Sequence, residues 1–169
     1  FMNSAAFYAT EKITSVRQSL ALLGYRNLQK WVTLLLFAGE GGDSRLSPLL
    51  ERAALRGRIM ELLAKKITND PVIADSAFMT GALSMIDSLL EMSITNILSE
   101  FNLSQDINNA LINREGFLGK LIIIIELLEQ ERFNLIHEML SEYAVTLEDL
   151  FSMEINAIVE FEATGTNVM

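Results

Sequence analysis

The stretch that decides the fold is residues 70–90, which read DPVIADSAFMTGALSMIDSLL. It opens with an aspartate and a proline. An aspartate caps the first backbone N–H groups of a helix, and a proline suits the first helical position, where its missing N–H costs nothing. The apolar run that follows predicts one helix over Val72–Leu90, the most hydrophobic of the chain. Gly81 and Ala82 lie near its middle, where small residues favour close packing against a second helix.

Outward from this helix, cap chemistry and apolar periodicity predict helices nearly throughout the chain. Ser47 and Pro48 repeat the pairing of a cap with a proline, and Ser104 and Thr146 are further cap candidates. The predicted helices lie at 15–23, 27–38, 48–66, 94–101, 105–113 and 147–161, with two more separated by Gly116. The sequence therefore predicts an all-α domain, a multi-helix bundle without a sheet.

The segment Leu121–Leu128 is ambiguous because it contains four consecutive isoleucines. β-Branched side chains are stiff and favour strands. A helix would instead gather one broad apolar face, made of Leu118, Leu121, Ile122, Ile125 and Leu128. No partner strand with an alternating pattern occurs elsewhere, so helix is the favoured interpretation and strand the alternative.

The charge balance limits the classes of partner. The chain has 169 residues, with 13 Lys and Arg against 22 Asp and Glu, a net charge of −9. Nucleic-acid affinity comes largely from clustered basic residues, so nucleic acid is not an expected partner. The absence of cysteine excludes disulfides and thiolate metal sites and fits a reducing compartment, the cytoplasm. The longest apolar runs fall short of the ~18 residues that span a bilayer, so no membrane association is expected.

No set of catalytic side chains stands out. His137 is the single histidine, whereas an imidazole metal site needs two or three. Asp87, within an apolar helix, is the most unusual acid, although a helix edge or a loop cap explains it more simply. Gly39, Gly41 and Gly42 follow no strand and lack the Lys-Ser/Thr of a phosphate-binding loop, so a flexible connection is the better interpretation.

The remaining candidates are two arginines and the single tryptophan. Arg52 and Arg56 are four residues apart and share a helix face. An ordinary charged face explains them, and a contact with an anion or a partner is the alternative. Trp31 lies in an apolar stretch at helical spacing, which fits a core position, with a partner contact as the alternative.

A set of N-terminal positions matches a known family. These positions are Asn3, Ser4, Ala5, Ile13, Ser15, Val16, Ala21, Leu23, Gly24 and Leu28. With them the chain resembles the HDOD domain, a bacterial signalling output domain related to the HD phosphohydrolases. The stretches beginning at Ser47 and Ala77 are similar to its next two helices. Residues 91–130 resemble the HDOD part of two-domain proteins in which an EAL-type cyclic-di-GMP phosphodiesterase domain comes first.

The most informative feature of this resemblance is a departure from the HD enzymes. The motif of those enzymes is similar to GLLHDIG, and the corresponding residues of this chain, 81–87, read GALSMID. The metal-binding His-Asp pair therefore falls on Ser84 and Met85, and the upstream His falls near Arg52. A hydroxyl, a thioether and a guanidinium cannot replace imidazole and carboxylate ligands. The resemblance implies no metal, no cofactor and no catalytic residue.

A second departure concerns length. The resemblance implies a longer domain than this chain, because HDOD domains have several helices before the segment that matches Asn3 to Ala5. We therefore expect an HDOD domain over residues 1–162 that lacks its N-terminal helices, followed by a tail at 163–169. Helices missing there would leave apolar faces around Trp31 and Leu35 open, which predicts self-association or pairing with another chain.

Three hypotheses for function follow. The first is a non-catalytic signal-transduction module that acts by protein–protein interaction, in a cyclic-di-GMP signalling protein with an attached EAL domain. The second is a degenerate HD metal-dependent phosphohydrolase that uses Asp87, Glu91 and His137. The third is a sensor of a small anionic ligand, with Arg52 and Arg56 lining a pocket between helices.

Overall fold

The computed structural model describes the main chain of residues 48–90, 93–99 and 103–166. These residues form helices and no strand, so the all-α prediction is confirmed. The helices predicted over 15–23 and 27–38 lie outside the described residues. The described helices are α1 (Pro48–Thr68), α2 (Pro71–Leu83), α3 (Ile86–Leu90), α4 (Ile94–Ser99), α5 (Gln105–Asn113), α6 (Gly116–Glu129), α7 (Phe133–Ser141) and α8 (Leu147–Thr166).

Helices α1 and α2 form a tight helical hairpin at the centre of the bundle. The Asp70 side chain caps α2 as predicted, since its Oδ1 accepts the backbone N–H of Val72 at 2.8 Å. The two helices cross at a pair of glycines. A Cβ on Gly81 would lie 2.8 Å from both the Arg56 carbonyl oxygen and the Gly57 Cα. Only hydrogen at this position permits the observed separation of the two backbones.

The prediction of a single helix over Val72–Leu90 is wrong in one respect, because the structure has two helices there, separated at Ser84. The Ser84 hydroxyl donates to the Gly81 carbonyl oxygen at 2.7 Å, and the Ser84 backbone N–H donates to the same oxygen at 3.2 Å. A bond to the third preceding carbonyl tightens the last turn and ends the regular helical pattern. The chain restarts as α3 only at Ile86.

The isoleucine run is helical, so the favoured interpretation is confirmed. Helix α6 packs against α1, α2, α5 and α7. Besides the predicted face, Ile124 is also fully buried, which means that α6 is covered on two sides. This double burial explains why a β-branched run is helical here: each described element that packs against α6 is a helix, and packing outweighs the weak strand preference.

Helix α8 runs antiparallel to α1, as two ion pairs show. The Arg58 Nε lies 2.7 Å from Glu160 Oε2, and the Lys66 Nζ lies 3.3 Å from Asp149 Oδ1. The helix continues to Thr166, beyond its predicted end at residue 161 and into the predicted tail. None of the helices that the structure describes combines the length and apolarity needed to cross a membrane.

Thr146 caps α8, as the sequence predicts, through a reciprocal pair of bonds. The Asp149 backbone N–H donates to Thr146 Oγ1 at 3.1 Å, and the Thr146 backbone N–H donates to Asp149 Oδ2 at the same distance. The backbone bond from Thr146, with its hydroxyl bond and the Lys66 ammonium, holds the pKa of Asp149 below its ordinary value. The carboxylate form is therefore the form that completes this cap.

We expect Thr146→Ala to destabilise the protein by about 1 kcal/mol, because the Asp149 N–H loses its acceptor. Urea unfolding followed by circular dichroism at neutral pH measures the loss. Because the lowered pKa of Asp149 makes its contribution disappear as pH falls through the folded-state pKa, the difference from wild type should shrink in acid. Ser152→Ala, on the exposed part of the same helix, is the control. A Thr146→Ala variant as stable as this control would contradict the prediction.

Candidate functional site

The glycine crossing of α1 and α2 determines which side chains meet at the Ser84 break. Arg56 precedes Gly57 in α1, and Ser84 lies three residues after Gly81 in α2. The close approach of the two glycines places the side chains beside each other, and the Arg56 Nη1 donates to the Ser84 Oγ at 3.0 Å. The position that the resemblance matches to a metal-binding histidine therefore contacts a guanidinium.

Glu129, at the end of α6, completes this contact. The Arg56 Nε donates to Glu129 Oε1 at 2.8 Å, and Nη2 donates to Oε2 at 2.6 Å, a two-pronged pairing. The side chains are 13% and 25% exposed, respectively. The hydrogen bonds that Glu129 accepts, reinforced by the charges of Glu129, Glu126 and Asp87, raise the pKa of Arg56 despite its partial burial. The guanidinium is therefore permanently charged.

A second ion pair extends the cluster along α6. Glu126 lies three residues before Glu129, and its Oε1 accepts from the Arg114 Nη2 at 2.9 Å. Nearby in α8, burial and the charge of Glu129 raise the pKa of Glu154. We refer to Arg56, Ser84, Glu126, Glu129 and Arg114 as the Arg56 cluster. It joins α1, the α2–α3 break, α6 and the residue that follows α5.

The structure separates the site residues that the sequence suggested. Arg56 and Ser84 contact each other, whereas Arg52 lies exposed one turn earlier on α1. Met85 is buried, with 8% of its surface exposed. Trp31 lies outside the described residues.

The proposed alternative metal ligands do not converge in the described part of the chain. Asp87 is exposed and accepts the Ser88 backbone N–H at 2.8 Å, a local bond of the kind expected of a turn residue. His137 is exposed on α7, and Glu91 lies outside the described residues. Among residues 48–90, 93–99 and 103–166, no three His, Cys, Asp or Glu side chains are grouped closely enough to hold a metal ion.

Sequence reasoning missed Glu129, Glu126 and Arg114 as members of the site. For a helix taken alone, the two glutamates are typical of an outer, solvated face. Glu129 is 73 residues away from Arg56 in sequence, so only the packing of α6 on α1 brings them together. The one available signal was the three-residue spacing of the glutamates, which puts both on the same side of a helix.

The arrangement also bears on anion binding by Arg56. Its Nε and Nη2 donate to Glu129 and its Nη1 donates to Ser84, so all three guanidinium nitrogens are engaged within the protein. These bonds use three of the five N–H donors of the guanidinium, and the negative charge of Glu129 repels a phosphate that approaches the other two. The anion pocket that would use Arg52 and Arg56 therefore stays a prediction, and calorimetric titration with cyclic di-GMP tests it.

We expect Arg56→Met to destabilise the protein by about 2 kcal/mol, because Glu129 keeps a partly desolvated charge without its partner. The double variant Arg56→Met/Glu129→Met should lose less than the sum of the single variants, with a coupling of about 1 kcal/mol. Urea unfolding of the four proteins measures this cycle. Strict additivity would show that the pair contributes nothing to stability.

Comparisons with known proteins identify relatives of this chain. The HDOD domain family matches residues 1–102. The protein YuxH of Bacillus subtilis (strain 168) is 28% identical over 141 residues, which cover 82% of this chain and 34% of that protein. The cyclic di-GMP phosphodiesterase CdgJ of Vibrio cholerae serotype O1 (strain El Tor Inaba N16961) is 29% identical over 150 residues, 89% of this chain and 34% of that protein. The chain thus spans about a third of the length of these relatives, and no solved structure matches it.

Proposed function

Because this chain belongs to the HDOD domain family, we propose that it is a non-catalytic signal-transduction module that transmits the state of an attached domain through contacts between helices. The observation that carries the proposal is the bond from Arg56 to Ser84. In the related HD enzymes, as the resemblance implies, a metal ligand occupies the Ser84 position. Here a positive charge lies against it.

The residues at this position do not fit a divalent metal ion. Ser84 offers a neutral hydroxyl that already donates to a carbonyl oxygen, and Met85 offers a soft thioether. Hard divalent ions such as Mg²⁺ prefer carboxylate and water, and borderline ions such as Zn²⁺ also bind imidazole. The neighbouring carboxylate of Glu129 is paired with Arg56, whose fixed positive charge repels a second cation. These contacts support a scaffold that has kept the helical framework without hydrolytic chemistry.

The relatives support a place in cyclic-di-GMP signalling. CdgJ is named a cyclic di-GMP phosphodiesterase, and this chain covers only 34% of it. We infer that the phosphodiesterase activity of such a protein belongs to an EAL domain outside the part that this chain matches. On this proposal the chain is the bacterial, cytoplasmic output or interaction part of an EAL–HDOD protein.

The proposed domain extends over residues 1–162, past the matched segment. Helices α5 to α8 follow residue 102, yet their buried residues belong to the same hydrophobic core as those of α1 and α2. The relatives also match over 141 and 150 residues, which is more than the 102 of the family match. We propose an attached EAL domain or another protein as the partner, together with self-association.

A direct assay tests the absence of catalysis. The purified chain is incubated with Mn²⁺, Mg²⁺ or Zn²⁺ and with phosphomonoester and phosphodiester substrates, including cyclic di-GMP. We expect turnover equal to that in EDTA. Glu129→Gln is the matched control, because it removes the carboxylate that pairs with Arg56, the neighbour of Ser84, with little change in shape. Metal-dependent turnover that falls in this variant would refute the proposal and support the degenerate hydrolase.

A further inference from the structure

Helix α8 exposes an apolar stripe on the side that faces away from α1. The stripe consists of Phe151, Ile155, Ile158 and Val159, of which Ile155 and Val159 are 60% and 58% exposed. Their spacing of four, three and one residues places all four on one helix face. Phe151 is held by an edge-to-face contact with Phe133, at 5.6 Å between ring centroids. The stripe is thus an ordered apolar surface about 12 Å long, at 1.5 Å per residue.

We propose that the α8 stripe is the docking site of this chain's own segment 27–38. At helical spacing, one face of that segment gathers Leu28, Trp31, Val32, Leu35 and Leu36, whereas the apolar residues Leu34 and Phe37 fall outside this face. This face follows the same helical period as the stripe, and like the stripe, at residues 151–159, it spans nine positions. Two such faces bury each other along their full length, which removes both from water.

The path of the chain permits this contact. Helix α1 is antiparallel to α8, with Arg58 paired to Glu160, so the start of α1 lies beyond the carboxyl-terminal end of the stripe. Ten residues of α1 separate Pro48 from Arg58, which is about 15 Å of helix. Residues 39–47, three of them glycine, reach up to about 30 Å when extended. The connection is therefore long enough to return segment 27–38 to the stripe.

Charge favours this occupant over a second copy of α8. Helix α8 carries five acidic residues and no basic one, and two of them, Glu148 and Glu162, lie on the same face as the stripe, beyond its two ends. Two copies of α8 placed face to face would oppose these charges. Residues 13–38 carry Arg17, Arg26 and Lys30 and no acidic residue. The segment therefore approaches α8 with the opposite net charge.

Trp31 reports the docking, because it is the only tryptophan. In the full chain, we expect the fluorescence of a buried indole, protected from acrylamide. Ile155→Glu/Val159→Glu should shift the emission to longer wavelength and weaken docking by about two orders of magnitude, the ratio expected for two lost aliphatic contacts. Val72→Glu, at the most exposed apolar position of α2, is the control and should leave the emission unchanged. Unchanged emission in the double variant, with helix content intact by circular dichroism, overturns the proposal.

A disulfide test covers the case in which the glutamates disturb the fold. The chain has no cysteine, so Leu35→Cys/Ile158→Cys introduces a single pair. We expect mild oxidation to give a disulfide within one chain, whereas Leu35→Cys/Val72→Cys should give none. Disulfide-linked dimers would assign the stripe to a second copy and overturn docking within the chain, as would failure of the first pair to react. The inference is independent of the proposed signalling role, but it competes with the proposed self-association, because docking covers Trp31 and Leu35 within one chain.

Discussion

Gly81→Val is expected to destabilise the protein by about 3 kcal/mol, near the upper end of the range for overpacked sites. A Cβ at residue 81 would lie 2.8 Å from the Arg56 carbonyl oxygen and from the Gly57 Cα. Both obstacles are backbone atoms, so no side chain is able to rotate away, and α1 and α2 must move apart. Urea unfolding followed by circular dichroism measures the change in the free energy of unfolding.

Ser152→Val is the control for Gly81→Val. It adds the same β-branched side chain to an exposed helical position, where serine and valine have similar helix propensities. We expect its effect to stay within about 0.5 kcal/mol of wild type. If Gly81→Val lowered the free energy of unfolding no more than Ser152→Val, the result would contradict the close crossing of α1 and α2 at Gly81.

The same variant tests how the fold builds the Arg56 cluster. Separation of the hairpin at Gly81 would draw Arg56 away from Ser84, because each side chain lies next to, or one turn from, a crossing glycine. We therefore expect the pairing of Arg56 with Ser84 to depend on the glycine crossing more than on the other three residues of the cluster. The close packing of α1 on α2 therefore also determines the geometry of the Arg56 cluster.

Ile124→Ala is expected to cost about 3–4 kcal/mol, the cost of removing a large aliphatic side chain and leaving a cavity. Ile124 is fully buried within α6. Its neighbour Ile123 is only half-buried, so Ile123→Ala, the same substitution one residue earlier, should cost about 1 kcal/mol. The two variants form a matched pair, measured by urea unfolding.

Adding Ile125→Ala to this pair discriminates between the two interpretations of the isoleucine run, because Ile125 is buried in α6 but would share a strand face with Ile123. In a helix covered on two sides, the pattern of losses along Ile122 to Ile125 follows burial, with Ile123 as the single mild position. In a strand, adjacent residues point to opposite faces, and losses would alternate with a period of two. Equal losses at Ile123 and Ile124 would contradict the burial pattern of α6.

The sequence by itself determined where several helices begin. Asp70, Ser104 and Thr146 were predicted as caps, and each accepts a backbone N–H within the first turn of its helix. These predictions succeed because a cap is a local interaction, in which a side chain bonds to groups two or three residues away. Helix ends were harder to predict. Helix α8, for example, continues to Thr166, past its predicted end at residue 161, and the helix predicted to reach Leu90 breaks at Ser84.

Only the tertiary structure decided what the Ser84 position contacts and where the long helix breaks. Ser84 ends α2 because its hydroxyl donates to the Gly81 carbonyl oxygen, a bond that a helical serine does not always make. Of the 22 acidic residues in the sequence, Glu129 is the one that pairs with both Nε and Nη2 of Arg56. Residue spacing carries no information about partners 73 positions apart. Their meeting depends on the close crossing of two glycines and on the packing of α6 against α1, both of which exist only once the chain has folded.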